Sequence, residues 1–225
     1  MEHSKRIKII TGHFGSGKTE IAINISIKEA IYYKKVALND LDVINPYFRS
    51  RDVGEHLTKL GVELIAPKGI LATADLPIVS PDVYRVLQDS SYRVIIDVGG
   101  DKDGATALGQ YFHKLKDEDY ELLFVINANR PYVSTVKGIV STIHEIEKVS
   151  RLSVTGLINN TNLGCKETTV DTLLQGIMIS KEVSETLGIP FLYTTLSDKV
   201  IGTKEIEELP NLHYIKRFMK LPWEN

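Results

Sequence analysis

One cysteine, Cys165, stands in the 225 residues, which excludes an internal disulfide, a C-x-x-C redox pair and any cluster held by several thiolates of one subunit. Long apolar runs are missing too: nothing approaches the roughly 18 consecutive apolar residues that span a bilayer. The opening Met1-Glu2-His3-Ser4-Lys5-Arg6 leads straight into a short strand-like run with no targeting segment before it, so the expected location is the cytoplasm. Charge of one sign is also lacking. Twenty-seven basic and 29 acidic residues leave a formal charge of −2, so net charge predicts no nucleic-acid binding. His3, His13, His56, His113, His144 and His213 show no metal-ligand spacing, which argues against a zinc site. There is no G-x-S-x-G elbow, no internal repeat and no low-complexity segment.

What is present suits one globular unit. Hydrophobic residues make up 43% of the chain, enough for a full core, and a single nucleotide-binding domain over 1–225 is expected. Apolar, β-branched runs recur at Ile7–Ile10, Val36–Leu38, Val62–Ile65, Val94–Val98, Leu122–Ile126, Val154–Ile158 and Phe191–Tyr193. Continuous runs of this kind suit strands buried on both faces of a parallel sheet. Between the fifth and sixth, Val136, Ile139, Val140, Ile143 and Ile146 fall at helical spacing. The alternation predicts a three-layer α/β/α sandwich with a mostly parallel central sheet. Ala66–Pro81, with three prolines and no period, reads as a surface excursion.

The strongest signal is Gly12-His13-Phe14-Gly15-Ser16-Gly17-Lys18-Thr19, which fits the phosphate-loop pattern G-x-x-x-x-G-K-[ST] between a predicted strand (Ile7–Thr11) and a predicted helix (Thr19–Tyr33). Such a loop turns successive N–H groups inward around phosphates, and the positive end of the following helix adds to the attraction. Lys18 reaches the β/γ-phosphates, Thr19 supplies a hydroxyl ligand to Mg²⁺, and Glu20 follows in the first helical turn. The cofactors expected are therefore ATP and Mg²⁺.

Ligands in open α/β sheets bind beyond the carboxyl ends of the strands. The residues there are polar: Asn39-Asp40-Leu41-Asp42, Asp97-Val98-Gly99-Gly100-Asp101, Asn127-Ala128-Asn129-Arg130-Pro131 and Asn159-Asn160-Thr161-Asn162. Asp97, closing an apolar strand before two glycines, can hold Mg²⁺ through its water shell, and Gly99 and Gly100 would let the segment swing with the γ-phosphate. Asp40 is assigned to the attacking water and Asp42 to the metal side.

This ordered set resembles the MinD/ParA/nitrogenase iron-protein (CobQ-like) family of P-loop ATPases over essentially the whole chain. The loop, Asn39–Asp42 as first switch, Asp97–Asp101 as second switch, Gly156-Leu157-Ile158-Asn159-Asn160 and Leu187-Gly188-Ile189-Pro190 occur in family order. The resemblance implies that Asn159 reads the adenine base and that ATP is hydrolysed in a nucleotide-bridged homodimer. One departure is specific: the family carries a lysine after the first glycine, where this chain has His13. A replacement cation could come from Arg130, Arg49, Arg51 or Lys102, and Arg130 is preferred because Pro131 stiffens its segment. The absent cysteine pair removes the iron-protein's bridging cluster. No [NT]-K-x-D follows the sixth run, so ATP is expected over GTP.

The expected function is an ATPase that switches between ATP and ADP states on an unknown protein client. The alternative is a small-molecule kinase or ligase whose acceptor pocket uses 66–81 and Gly104–Lys114. Asn45–Asp52, rich in aromatic and guanidinium groups, reads as a recognition loop. Leu212–Lys220 could form a short basic amphipathic helix, although docking on the body of the fold is preferred over membrane contact.

Overall fold

A computed structural model describes residues 5–42, 54–66, 81–100, 102–164, 167–200, 206 and 208–219. The elements run β1 (Ile7–Gly12), α1 (Lys18–Tyr32), β2 (Val36–Asp40), α2 (Gly54–Lys59), β3 (Val62–Ile65), α3 (Pro81–Gln88), β4 (Arg93–Asp97), α4 (Lys102–Gly109), the single turn α5 (Phe112–Leu115), β5 (Tyr120–Ile126), α6 (Val136–Ser150), β6 (Gly156–Asn159), α7 (Val170–Leu187), β7 (Phe191–Ser197) and β8 (Leu212–Ile215). The described strands make one sheet in the order β3-β2-β4-β1-β5-β6-β7-β8, and every neighbouring pair is parallel. This is the expected three-layer sandwich, with the sheet wholly parallel.

Successive side chains leave a strand on opposite faces, and the core divides accordingly. Ile7, Ile9, Val94, Ile96, Leu122 and Phe124 pack with residues of α3, α4, α6 and α7. Ile10, Leu38, Ile95, Leu123 and Val125 pack on the other face against Ile21, Ala22 and Ile23 of α1 and Leu57 of α2. Apolar burial on both faces is why Val36–Leu38 and Leu122–Ile126 read as unbroken runs. The α6 stripe behaves as expected: Ile139, Ile143 and Ile146 are buried, with Val136 and Val140 packed against the same cluster.

Helices α6 and α7 begin with side-chain caps, the Thr135 hydroxyl accepting from Gly138 N–H and that of Thr169 from Thr172 N–H. Helix α1 has no side-chain cap and enters from Gly17 at φ 89°. Its N-terminal amides are thus left for something other than a side-chain oxygen at the cap.

The eighth strand corrects the reading of Leu212–Lys220 as a short helix. Leu212–Ile215 pairs with Thr194–Ser197 of β7, the Thr194 amide donates to the Asn211 carbonyl, and the Asp198 amide donates to that of Ile215. A helix this short gains little from its own bonds, whereas the open edge of β7 offers partners at once. Strand β7 also runs further than its apolar start, because Thr194 and Thr195 are buried despite their hydroxyls. Asn45–Asp52, most of Ala66–Pro81, Asp101, Cys165 and Lys220 lie outside the described residues. Among the described residues, no helix is long and apolar enough to cross a membrane.

Candidate functional site

The loop between β1 and α1 folds around its own backbone: the Ser16 amide donates to the His13 carbonyl at 3.1 Å and Lys18 Nζ to the same carbonyl at 3.3 Å. Gly15 and Gly17 both take left-handed φ values, 73° and 89°. At Gly17 a Cβ would collide with the amide nitrogen of Asn160, so the position excludes a side chain on two counts. Ser16, Lys18 and Thr19 are buried, while Phe14 projects with 58% of its surface exposed.

Strand parity places the acids. Leu38 and Ile95 face α1, so Asp40 and Asp97, two residues further on, face it as well. Register pairs Asp40 directly with Asp97. Beyond β2 the chain turns: the Asp42 amide donates to Asp40 Oδ1 at 3.1 Å, and the Leu41 amide to the Asp97 carbonyl at 2.8 Å. Both oxygens of Asp97 are buried without a well-formed hydrogen bond among the described residues. Burial first, and then the charge of Asp40, push its carboxyl up to about 8, against the pull of Lys18 and the Thr19 hydroxyl. The structure therefore brings Lys18, Thr19, Asp40, Asp42 and Asp97 together around one point.

That donor set fits a divalent cation shared with phosphate. Among the described residues there is no group of three or more His, Cys, Asp or Glu side chains able to hold an ion unaided. Mg²⁺ needs none, since it keeps waters and phosphate oxygens in its shell and takes one or two carboxylates. A cation here would relieve the buried charge on Asp97 and its repulsion by Asp40. Gly100 lies against the loop so closely that a Cβ there would come within 2.8 Å of the Gly12 carbonyl oxygen, so the segment after β4 packs directly on the loop of residues 12–19.

The other predicted residues are placed as follows. Arg130, exposed, donates through Nε to the Gly15 carbonyl at 3.0 Å and lies across the loop. His13 contacts Phe14 O through Nδ1, with its ring 6.0 Å from that of Tyr132. Glu20 turns away from the loop: its carboxylate accepts from the amides of Phe218 and Met219. Asn159 is fully buried on the α7 side, where its amide donates to Thr194 Oγ1 and its carbonyl accepts from the Thr161 amide. Its neighbour is the residue that sequence reasoning missed. Asn160 Nδ2 donates to the Ser16 carbonyl at 2.7 Å, and its Oδ1 accepts from Thr195 Oγ1 at 2.8 Å. Ile158 faces α1 and Leu157 faces α7, so Asn160, not Asn159, points to the phosphate loop. The signal in the sequence was the Asn159-Asn160 doublet itself. Gly104–Lys114, given to an acceptor pocket in the alternative kinase or ligase reading, runs through the end of α4 into α5, and Ala105 and Leu108 of α4 enter the core.

No family model and no curated protein matches the chain. Solved structures share its fold. The cell division protein FtsY from Thermotoga maritima superposes with a TM-score of 0.60 at 22% identity, over 92% of this chain and 65% of that one. A nucleotide-binding protein from Archaeoglobus fulgidus, in complex with ADP, gives 0.52 at 16% identity, over 92% of this chain and 89% of its own. The signal recognition particle 54 kDa protein from Aeropyrum pernix, in complex with GDP, gives 0.54 at 17% identity, over 86% and 42%. The chain thus spans less than two thirds of the length of the FtsY and 54 kDa proteins. What it shares with all three is the fold, a parallel sheet layered between helices.

Proposed function

We propose that this chain, acting as a single domain over 1–225, binds ATP with Mg²⁺ and hydrolyses it slowly as a MinD/ParA-type switch on a protein client. The observation that carries the reading is the pair of buried acids, Asp40 and Asp97, set in register beneath the first turn of α1 with Lys18 and Thr19. Such a pair repels unless a proton or a cation intervenes, and a cation beside the phosphate loop meets that need.

The roles follow from placement. Amides of residues 12–19 take the phosphate oxygens, and Lys18 swings from the His13 carbonyl to the β/γ-phosphates. Thr19, Asp97 and Asp42 would hold Mg²⁺, which would neutralise charge on the phosphates. Asp40 orients the water for in-line attack on the γ-phosphorus, the bond to the bridging oxygen breaks, and the electron pair leaves with ADP. Arg130 supplies the cation that stabilises the transferred charge in place of the lysine that His13 replaces. On the base side, Asn160 is the amide nearest the loop. The run Asn160-Thr161-Asn162-Leu163 offers neither the lysine nor the carboxylate that guanine recognition uses, which supports adenine. Homodimerisation and a cytoplasmic location belong to the same proposal.

The test is calorimetric titration with a non-hydrolysable ATP analogue and with a GTP analogue, each with and without Mg²⁺, followed by single-turnover phosphate release. Mg²⁺-dependent binding that favours the adenine analogue, and release abolished by Lys18→Ala and Asp40→Ala, is the expected result. No binding of either analogue would sink the reading.

A further inference from the structure

Glu20 stands at the third position of α1, counted from Gly17 as the N-cap. A glutamate at this position is the one that in capping boxes reaches back to the N-cap amide; Gly17 has no side chain to complete such a box, but the positive end of the helix still favours the glutamate's charge near those amides. In this fold the N-cap amide belongs to Gly17, one of the phosphate-binding N–H groups. A glutamate that capped its own helix would occupy a donor the nucleotide needs.

The structure shows it held elsewhere. After β8 the chain crosses the first turns of α1, where Asn24 Oδ1 accepts from the Lys216 amide at 2.9 Å and Asn24 Nδ2 donates to the Lys216 carbonyl at 2.7 Å. Glu20 Oε2 then accepts from the Phe218 amide at 3.0 Å and Oε1 from the Met219 amide at 2.8 Å. Met219 is 4% exposed in the cluster formed by α1 and Leu57 of α2, and the Phe218 ring lies 5.8 Å from that of His56 on α2. Arg217 and Lys199 add favourable charge, yet burial still raises the carboxyl above its ordinary range. The carboxylate is thus retained here by two amides of one short segment.

We propose that residues 216–219 are a latch which, by holding the Glu20 carboxylate away from the Gly17 amide, keeps the phosphate loop open to nucleotide. Glu20 is a positioning residue in this scheme, and the inference rests on the nucleotide-binding reading above. By linkage the coupling is reciprocal: nucleotide, in taking the Gly17 amide, favours the latched state by the same factor that latching favours nucleotide.

The test uses the full chain and a fluorescent ATP analogue with Mg²⁺. Phe218→Pro deletes one latch donor and should weaken binding by about tenfold, within the range typical of allosteric coupling. Adding Glu20→Ala to that variant should recover most of the loss, because the competing carboxylate is gone. A segment that merely stabilised the fold would give a double variant no tighter than Phe218→Pro alone, and that result overturns the latch. In the unaltered chain, hydrogen exchange at the Phe218 and Met219 amides should slow when the analogue binds. This measurement decides the matter if Phe218→Pro does not fold, and unchanged exchange overturns the proposal. Failure of the unaltered chain to bind the analogue at all would remove the nucleotide reading and the latch with it, whereas binding with unchanged exchange removes only the latch.

Discussion

Asp40 and Asp97 stand side by side across β2 and β4, last residues of their strands and partners in register, with both side chains on the face that carries α1. Each is almost wholly excluded from water, at 2% and 1% exposure. Two buried carboxylates so placed oppose folding unless a proton or a cation intervenes. The arrangement therefore has a stability signature that does not depend on turnover.

Asp97→Asn should stabilise the nucleotide-free, metal-free protein. The Asp97 carboxyl is raised from 3.8 to about 8 in the fold. The native state therefore holds a proton that the unfolded chain has already released across that window, and stability falls as pH rises through it. An amide has no proton to lose, so the melting-temperature difference between variant and parent should grow from pH 5 to pH 8. Its ceiling is on the order of a few kcal/mol. The same variant should lose Mg²⁺-dependent stabilisation by an ATP analogue. Thermal melts in EDTA across pH check the first part; equal melting temperatures at pH 8 would contradict it.

How much of this was legible in advance depended on the kind of signal. The seven main strands were readable because central parallel strands bury both faces, and Val36–Leu38 or Leu122–Ile126 then admit no polar interruption. The phosphate loop was readable because its chemistry is local. Strand β8 was not, since Leu-His-Tyr-Ile at a sheet edge shows no periodicity that four residues can establish. Asn160 was missed for a subtler reason: with apolar residues on both faces, the parity of β6 does not reveal which face α1 occupies. Glu20 could be placed in the first turn, but its partners lie 198 and 199 residues away.

Asn159 and Asn160 should separate stability from binding. Asn160→Ala removes the donor to the Ser16 carbonyl and should weaken nucleotide binding by about tenfold, the equivalent of one well-made hydrogen bond in a preorganised site. Asn159→Ala leaves Thr194 and the Thr161 amide short of a partner deep in the fold, which costs about 1–3 kcal/mol of stability. Its effect on affinity should be the smaller of the two. Urea melts and titration calorimetry on both variants give the comparison, and the opposite ranking would return the base-side role to Asn159.

Gly100→Ala should abolish nucleotide binding with little change in secondary structure. A Cβ at this position falls 2.5 Å from the Phe14 amide nitrogen and 2.8 Å from the Gly12 carbonyl oxygen, both backbone atoms that cannot yield without deforming the cradle. Circular dichroism should remain close to the parent while the analogue fails to bind. Retained binding would mean that the segment after β4 moves off the loop before nucleotide enters.

Arg130 tests whether a cation from another strand end serves the loop of residues 12–19. Its Nε is spent on the Gly15 carbonyl, which fixes the guanidinium plane over the loop and leaves the two terminal nitrogens outside that bond. Lysine has no equivalent of Nε, so Arg130→Lys should retain charge but lose placement. Charge stabilisation in the transition state lowers kcat when removed and leaves ground-state binding largely intact. Arg130→Ala and Arg130→Lys should therefore both reduce kcat by at least about tenfold, a modest share of what a transition-state arginine supplies, with KM changed by less than about threefold. A rise in KM at constant kcat would instead make Arg130 a binding residue, and the charge on the transferred phosphoryl group would then have to be met by Lys18 and the metal alone.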